Sequence, residues 1–147
     1  MAPQLSKKPI VARETLREVA EARLKEAENL FDAKHYAGTV HLAGYAVECY
    51  LKVAICVTLH WDELRGTFKT HDLEALMLHS GLDDKLQKDA RLVESFAKIK
   101  ETWVIDGSLS IRYKKPSEFN ERAARIFLRY VSDPETGVVP WLRKMTS

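Results

Sequence analysis

The sequence predicts an all-α protein, an up-and-down antiparallel bundle of four to five helices. Apolar residues recur at three- and four-residue spacing in several segments, and no segment alternates polar and apolar residues as a strand would. The 147 residues are enough for one domain with its own core. We predict the bundle over residues 11–133, between a flexible N-terminus (1–10) and a C-terminal tail (134–147) with a short closing turn or helix.

The first two helices are predicted over about 11–33 and 36–59. The second is apolar on most sides, which is typical of a helix at the centre of a bundle. It is long enough for a membrane, but His41, Glu48 and Lys52 interrupt it. We therefore expect a core helix of a soluble protein and no membrane partner.

The later elements are shorter and are marked by capping residues. Thr70 is the predicted N-cap of a third helix that ends before Gly81. A fourth helix is predicted over about 84–103, followed by an irregular linker over 109–115. The last long helix is predicted over about 116–131, with a proline in its first turn.

Composition and cysteine usage exclude several classes of protein. The formal net charge of +2 is too small to argue for a nucleic-acid partner by itself. Cys49 and Cys56 lie seven positions apart in one predicted helix, about 10 Å, which is too far for a disulfide. Buried free thiols and a polar N-terminus without an export signal are typical of a cytoplasmic protein. The chain has no zinc-binding spacing and no glycine-rich phosphate loop, so we expect no metal and no cofactor.

The most informative feature is a polar stripe on the second helix. At 100° per residue, His41, Tyr45, Glu48 and Lys52 fall within a wedge of about 60°. Glu48 and Lys52 are four residues apart and can pair. The stripe has three interpretations: a solvated outer face, a buried structural network, or a polar groove that receives a ligand or partner.

Two further polar positions are candidates for function. His71 opens the third helix, where it either caps the helix end or bonds a neighbouring backbone group, or else takes part in catalysis. Arg112 and Tyr113 lie before the last helix; they could bind phosphate through the guanidinium and a stacking ring, or clamp the linker onto the bundle.

These segments together resemble the HEPN domain family. The run 36–52 is similar to the second helix of HEPN domains, with the signature Ala46, Glu48 and Lys52. The run 70–76 resembles the family's His-x-Leu-x-x-Leu helix start, and Arg112-Tyr113 is similar to a pair found before its last helix. The resemblance extends over about residues 20–131.

The resemblance implies a bundle of four or five antiparallel helices, commonly a homodimer, with a role in nucleotide or RNA biology. Many relatives act beside a nucleotidyltransferase, in toxin–antitoxin pairs or in phage defence. A catalytic subset cleaves RNA without metal, using an arginine followed after about four to six residues by a histidine near the last helix. Residues 113–119 contain no histidine, so the expected general acid/base is missing.

We therefore predict a HEPN-like module that binds a nucleotide, RNA or a partner protein without cleaving RNA. The resemblance places Glu48, Lys52, His71, Arg112 and Tyr113 around one shared site, with Tyr45 and His41 beside it on the stripe. One alternative is a metal-independent ribonuclease or toxin that uses Arg65 and His71, a spacing we interpret as coincidental. The other alternative is a dimerisation or assembly module in which the stripe only sets helix register.

Overall fold

Helices account for most of the chain, which confirms the predicted all-α class. The computed structural model describes residues 11–105, 107 and 110–147. Within them the α-helices are α1 (Arg13–Asp32), α2 (Tyr36–Thr58), α3 (Leu73–His79), α4 (Asp83–Leu86), α5 (Ala90–Thr102), α6 (Glu121–Ser132) and α7 (Val138–Met145). Single 3-10 turns cover Gly66–Phe68, Ile111–Tyr113 and Pro116–Glu118. Residues 1–10, predicted as a flexible N-terminus, lie outside the described residues.

α1 and α2 form an antiparallel hairpin that is the centre of the fold. The turn between them is only three residues long, and Lys34 adopts a positive φ of 65° there. The apolar side of α1, which contains Leu16, Ala20 and Leu24, is buried against α2. α2 also contacts α3, α6 and α7, so it is surrounded as its composition predicts.

α2 is long and apolar enough to cross a membrane by length and composition alone. However, 78% of its most apolar 18-residue window is buried inside the protein. This extent of burial is typical of a core helix, because neighbouring helices cover its apolar surface.

Two glycines in α2 allow neighbouring side chains to approach closely. A Cβ at Gly44 would lie 2.1 Å from Cδ1 of Trp103, so only glycine leaves room for this indole. A Cβ at Gly38 would lie 3.0 Å from Cδ1 of Leu30 on α1. The Trp103 ring N–H donates to the carbonyl of His41 at 2.9 Å, which fastens the end of α5 to α2.

The third helix begins later than predicted. Asp72, not Thr70, is its N-cap, because the Asp72 carboxylate accepts from the backbone N–H of Ala75 at 3.1 Å. Thr70 instead accepts from the backbone N–H of Asp72. The helix ends as predicted before Gly81, which has a φ of +74°.

The prediction of one continuous fourth helix is wrong. The chain forms the short α4 and then α5, because the Asp89 carboxylate accepts from the backbone N–H groups of Arg91 and Leu92 and starts a new helix. The predicted last helix also starts too early. Pro116–Glu118 is a single 3-10 turn, and α6 begins after the N-cap Asn120.

A small antiparallel ribbon was not predicted. β1 (Val11–Ala12) pairs with β2 (Glu63–Leu64), with Val11 opposite Leu64. Each strand has two residues, which is too short for an alternating pattern to be visible in the sequence. The ribbon ties the start of α1 to the segment that follows α2.

The C-terminal helix α7 packs into the core. Val138, Val139 and Leu142 are fully buried. Arg143 donates two hydrogen bonds to the Glu21 carboxylate of α1, at 2.6 and 2.8 Å, and the Tyr50 hydroxyl of α2 donates to the same carboxylate. The ion pair and the hydroxyl thus hold α1, α2 and α7 together.

Candidate functional site

Glu48 is the centre of a buried polar cluster. Its side chain is 1% exposed, which for an ionised carboxylate requires compensating partners. Lys52 Nζ lies 3.2 Å from Glu48 Oε2, one helical turn away, so the pairing predicted from the sequence is present. Nδ1 of His71 is in hydrogen-bond contact with the other oxygen, Oε1. We call Glu48, Lys52 and His71 the Glu48 cluster.

The sequence around His71 fixes where its ring lies. His71 directly precedes the N-cap Asp72, so the first turn of α3 constrains its backbone. Leu73 and Leu76 are buried in the core and hold that turn against α2. The spacing His-x-Leu-x-x-Leu thus anchors a short helix and directs the preceding histidine to the carboxylate.

The second ring nitrogen of His71 is available. No described residue forms a hydrogen bond with Nε2, and the side chain is 38% exposed. His71 lines a cavity of about 300 Å³. The other lining residues are Asp72, Leu73, Glu74, Lys100, Trp103, Val104 and Ile105. A carboxylate that holds one nitrogen orients the other for hydrogen bonding or proton transfer.

A smaller cavity of about 160 Å³ is lined in part by Glu48. The polar side chains in its lining are Tyr45, Glu48, Lys52, Arg65 and Lys69. Three of these five side chains are cations, and one carboxylate is present. We call this space the cationic cavity.

Sequence reasoning treated Arg65 only as part of a coincidental spacing and did not identify Lys69. Their signal was weak, since both lie in the connection between α2 and α3 and not on a periodic helix face. The fold brings this connection back over the polar stripe. The Arg65 guanidinium stacks on the Trp61 ring, with Cζ 4.4 Å from the ring centroid, which restrains it near the cavity.

His41 and Arg112 form a second group at the start of the stripe. Burial lowers the pKa of His41 below its ordinary value of 6.5, and the nearby positive charge of Arg112 lowers it further. Arg112 and Tyr113 lie in a 3-10 turn and are exposed. Tyr113 is 76% exposed, so its ring does not clamp the linker onto the bundle.

Hydrogen-bond contacts are present among three members of the predicted shared site, Glu48, Lys52 and His71. Within the described part of the chain, no hydrogen bond joins Arg112 or Tyr113 to the Glu48 cluster. His41 precedes Glu48 by seven residues, about 10 Å along the helix. A single site around all five residues therefore stays a prediction.

Tyr45 lies between the two groups, half-buried on the same stripe. Burial is the main reason that the pKa of its hydroxyl is raised above 10.0, and the nearby Cys49 and Glu48 act in the same direction. The phenol is therefore neutral at neutral pH. It can donate one hydrogen bond towards the cationic cavity that it lines.

The interpretation of the whole stripe as a solvated outer face is wrong for Glu48 and Lys52, because both are buried. Glu48 and Lys52 form an ion pair, and His71 is in hydrogen-bond contact with Glu48. The Glu48 and Lys52 side chains both line the cationic cavity. Among residues 11–105, 107 and 110–147, no three His, Cys, Asp or Glu side chains lie close enough to hold a metal ion.

The family model of the HEPN domain matches residues 13–133. The chain therefore belongs to the HEPN domain family, whose members are associated with RNA binding or cleavage and with toxin or defence roles. The match includes the Glu48 cluster, the cationic cavity and the Arg112 turn. No curated protein and no solved structure gave a significant match to the chain.

Proposed function

We propose that this protein binds the phosphate groups of RNA or of a nucleotide and does not cleave RNA. The observation that carries the proposal is the cationic cavity, in which Lys52, Arg65 and Lys69 surround a space beside a carboxylate that is already compensated. Glu48 pairs with Lys52, while Arg65 and Lys69 supply further positive charge from the connection between α2 and α3. This arrangement resembles the clustered cations with which proteins bind phosphate.

The size of the cavity indicates which part of a ligand it takes. Pockets for whole small molecules usually measure about 300–1,000 Å³, whereas this cavity measures about 160 Å³. It fits a phosphate group whose remaining atoms lie outside. Farther along the stripe, Arg112 offers another cation and Tyr113 an exposed ring on which a base can stack.

Binding without cleavage is supported by the residues around Arg112. No histidine occurs in residues 113–119, so the family's arginine–histidine pair is incomplete there. Tyrosine and lysine side chains are less suited than imidazole to general acid–base catalysis near neutral pH.

One observation favours the alternative of a metal-independent ribonuclease. Arg65 lines a cavity with Glu48, and Glu48 is bonded to His71, so the fold brings both members of the Arg65–His71 pair to the same carboxylate. A histidine oriented by a carboxylate is a common general base. An RNA-cleavage assay distinguishes this ribonuclease from a protein that only binds RNA.

The binding proposal is tested with fluorescence anisotropy on the whole chain. The probes are a labelled 12-nucleotide uridine oligomer and labelled ATP, which distinguish RNA from a free nucleotide. We expect the exposed pair Arg65→Ala and Lys69→Ala to weaken binding about tenfold or more and to reduce its salt dependence. The matched control removes two exposed lysines elsewhere, Lys85→Ala and Lys88→Ala, and should change affinity less than about twofold.

Equal affinity of both double variants would overturn the cationic cavity as the site. Cleavage is measured separately, by incubating the labelled oligomer with the protein in EDTA. We expect the oligomer to remain intact. Cleavage that His71→Ala abolishes would instead establish the Arg65–His71 ribonuclease.

We also propose a cytoplasmic homodimer that works beside a nucleotidyltransferase or in a toxin–antitoxin or phage-defence pair, as in many HEPN proteins. Light scattering after gel filtration tests the dimer. The assembly-module alternative predicts that Lys52→Met alters dimer stability while neither probe binds. Detectable binding to either probe contradicts that alternative.

A further inference from the structure

A second charged surface lies on α6, away from the polar stripe. At 100° per residue, Arg122, Arg125, Ile126 and Arg129 share one side of the helix. All four are exposed, and Ile126 is 37% exposed. The opposite side of α6, which contains Ala124, Phe127 and Val131, is buried. We call the exposed side the arginine face.

Only one of the three arginines forms a salt bridge with a described residue. Arg125 donates to Glu121 at 2.7 Å, and its guanidinium lies 5.7 Å from the ring centroid of Phe31. Neither Arg122 nor Arg129 forms a salt bridge or a side-chain hydrogen bond with any described residue. The positive charge of Arg129 helps to lower the pKa of the nearby Asp133 carboxyl, but Arg129 and Arg122 are both exposed and can meet a ligand from solution.

A groove of about 380 Å³ runs beside this face, between α5 and α6. Its lining combines Ile126 and Tyr130 with the cations Arg91 and Arg129. Arginine and aromatic residues are enriched at protein interfaces, and the groove is large enough to receive side chains of a partner.

From this surface we propose that the arginine face docks an acidic amphipathic helix of a partner protein. α6 is about 18 Å long, so its arginines can meet carboxylates spaced by one helical turn on a parallel or antiparallel helix. An apolar side chain of the partner would contact Ile126 and Tyr130. Guanidinium groups pair with carboxylates through two hydrogen bonds, which adds orientation to the contact.

Two other occupants fit the surface less well. The groove also contains the carboxylates of Glu94 and Asp133, which repel the continuous phosphate charge of RNA, whereas an amphipathic helix can meet the groove with its apolar side chains and keep its carboxylates at the exposed arginines. A second copy that presents the same face would place arginines against arginines, since a two-fold interface joins identical patches.

The proposal is tested by fluorescence anisotropy with two labelled 18-residue peptides. One is an amphipathic helix of Glu, Leu and Ala with its glutamates on one side, and the other is a scrambled peptide of the same composition. We expect the amphipathic peptide to bind about tenfold or more tightly than the scrambled one. The variant Arg122→Glu with Arg129→Glu should lose this preference.

The matched control has the same change in net charge. Lys25→Glu with Lys85→Glu alters two exposed lysines on other helices and should retain the preference. Circular dichroism establishes that all variants remain helical. Equal binding of the two peptides, or equal losses in both variants, would overturn the proposal.

The competing occupants give distinct results. A 12-nucleotide uridine oligomer that displaces the amphipathic peptide, and that binds more weakly to the Arg122/Arg129 variant, would assign the face to RNA. Self-association of the wild type that is lost in the same variant would assign it to a second copy. Either result overturns the proposal of an acidic helix, and neither depends on the cationic cavity.

Discussion

At the scale of single residues, Gly44 determines how closely the end of α5 approaches the core helix. The indole of Trp103 occupies the space where any other residue would place its Cβ. Its ring N–H donates to the His41 carbonyl, so the same contact satisfies a buried donor. One missing side chain thus positions the wall of the larger cavity beside His71.

We expect Gly44→Ala to destabilise the protein by about 2–4 kcal/mol. The added methyl group would displace Trp103 and break its hydrogen bond, which combines overpacking with a lost bond. Urea denaturation measures the change. Gly66→Ala is the control, because nothing lies within 4 Å of a Cβ there; similar losses in both variants would contradict this account.

At the scale of the helices, the contact among α1, α2 and α7 depends on ionisation. The Arg143 guanidinium, through its hydrogen bonds, holds the pKa of the Glu21 carboxyl below its ordinary value of 4.5, and Tyr50 and Arg17 act in the same direction. A carboxyl whose pKa is lower in the folded state stabilises the fold above its unfolded pKa. That stabilisation is lost as the pH falls through the lower, folded pKa.

Arg143→Ala should therefore flatten the pH dependence of stability below about pH 4.5, because Glu21 then titrates more nearly alike in the folded and unfolded chains. The measurement is the urea midpoint between pH 3 and pH 6. Lys144→Ala, at an exposed neighbour that forms no ion pair with any described residue, should retain the wild-type slope. An unchanged slope in Arg143→Ala would mean that other carboxyl groups control acid stability.

At the scale of the whole molecule, the two thiols report on unfolding. Cys49 and Cys56 are buried in α2. Burial raises the pKa of Cys49 to about 12, assisted by the nearby Glu48 charge, and burial also raises the pKa of Cys56. Neither thiol forms an appreciable amount of thiolate near neutral pH while the chain is folded.

We expect Ellman's reagent to label neither cysteine in the native protein at pH 8. Labelling should proceed at the rate at which the core opens and should reach two thiols per chain in denaturant. Rapid labelling of one thiol under native conditions would show that the reagent reaches α2 and would contradict the burial of that cysteine.

Much of this fold was predictable because its long helices carry clear local signals. The composition of α2 predicted its central position, and Asn120 and Asp89 are capping residues that the sequence displays. The boundaries at 84–103 and 116–131 were misplaced because apolar spacing continues across those caps. Periodicity alone does not distinguish one long helix from two segments that pack in phase.

The candidate site was predictable only where its members lie on one helix. The four-residue spacing predicted the Glu48–Lys52 pair, and the family motif predicted that His71 belongs to the site. Lys69 lies in a connection whose path depends on the whole fold, so no local pattern placed it beside the stripe. For the same reason, no local pattern places Arg112 and Tyr113 relative to the Glu48 cluster.

The position of Trp103 makes its intrinsic fluorescence a reporter of binding beside His71. The indole is 2% exposed, lines the cavity of His71 and has its ring N–H bonded to the α2 backbone. An enclosed indole emits at shorter wavelength than one in water, and its emission is sensitive to charge placed nearby. With Trp61 and Trp141 replaced by phenylalanine, a ligand that enters beside His71 would be observed directly as a shift in intrinsic fluorescence, without any attached dye.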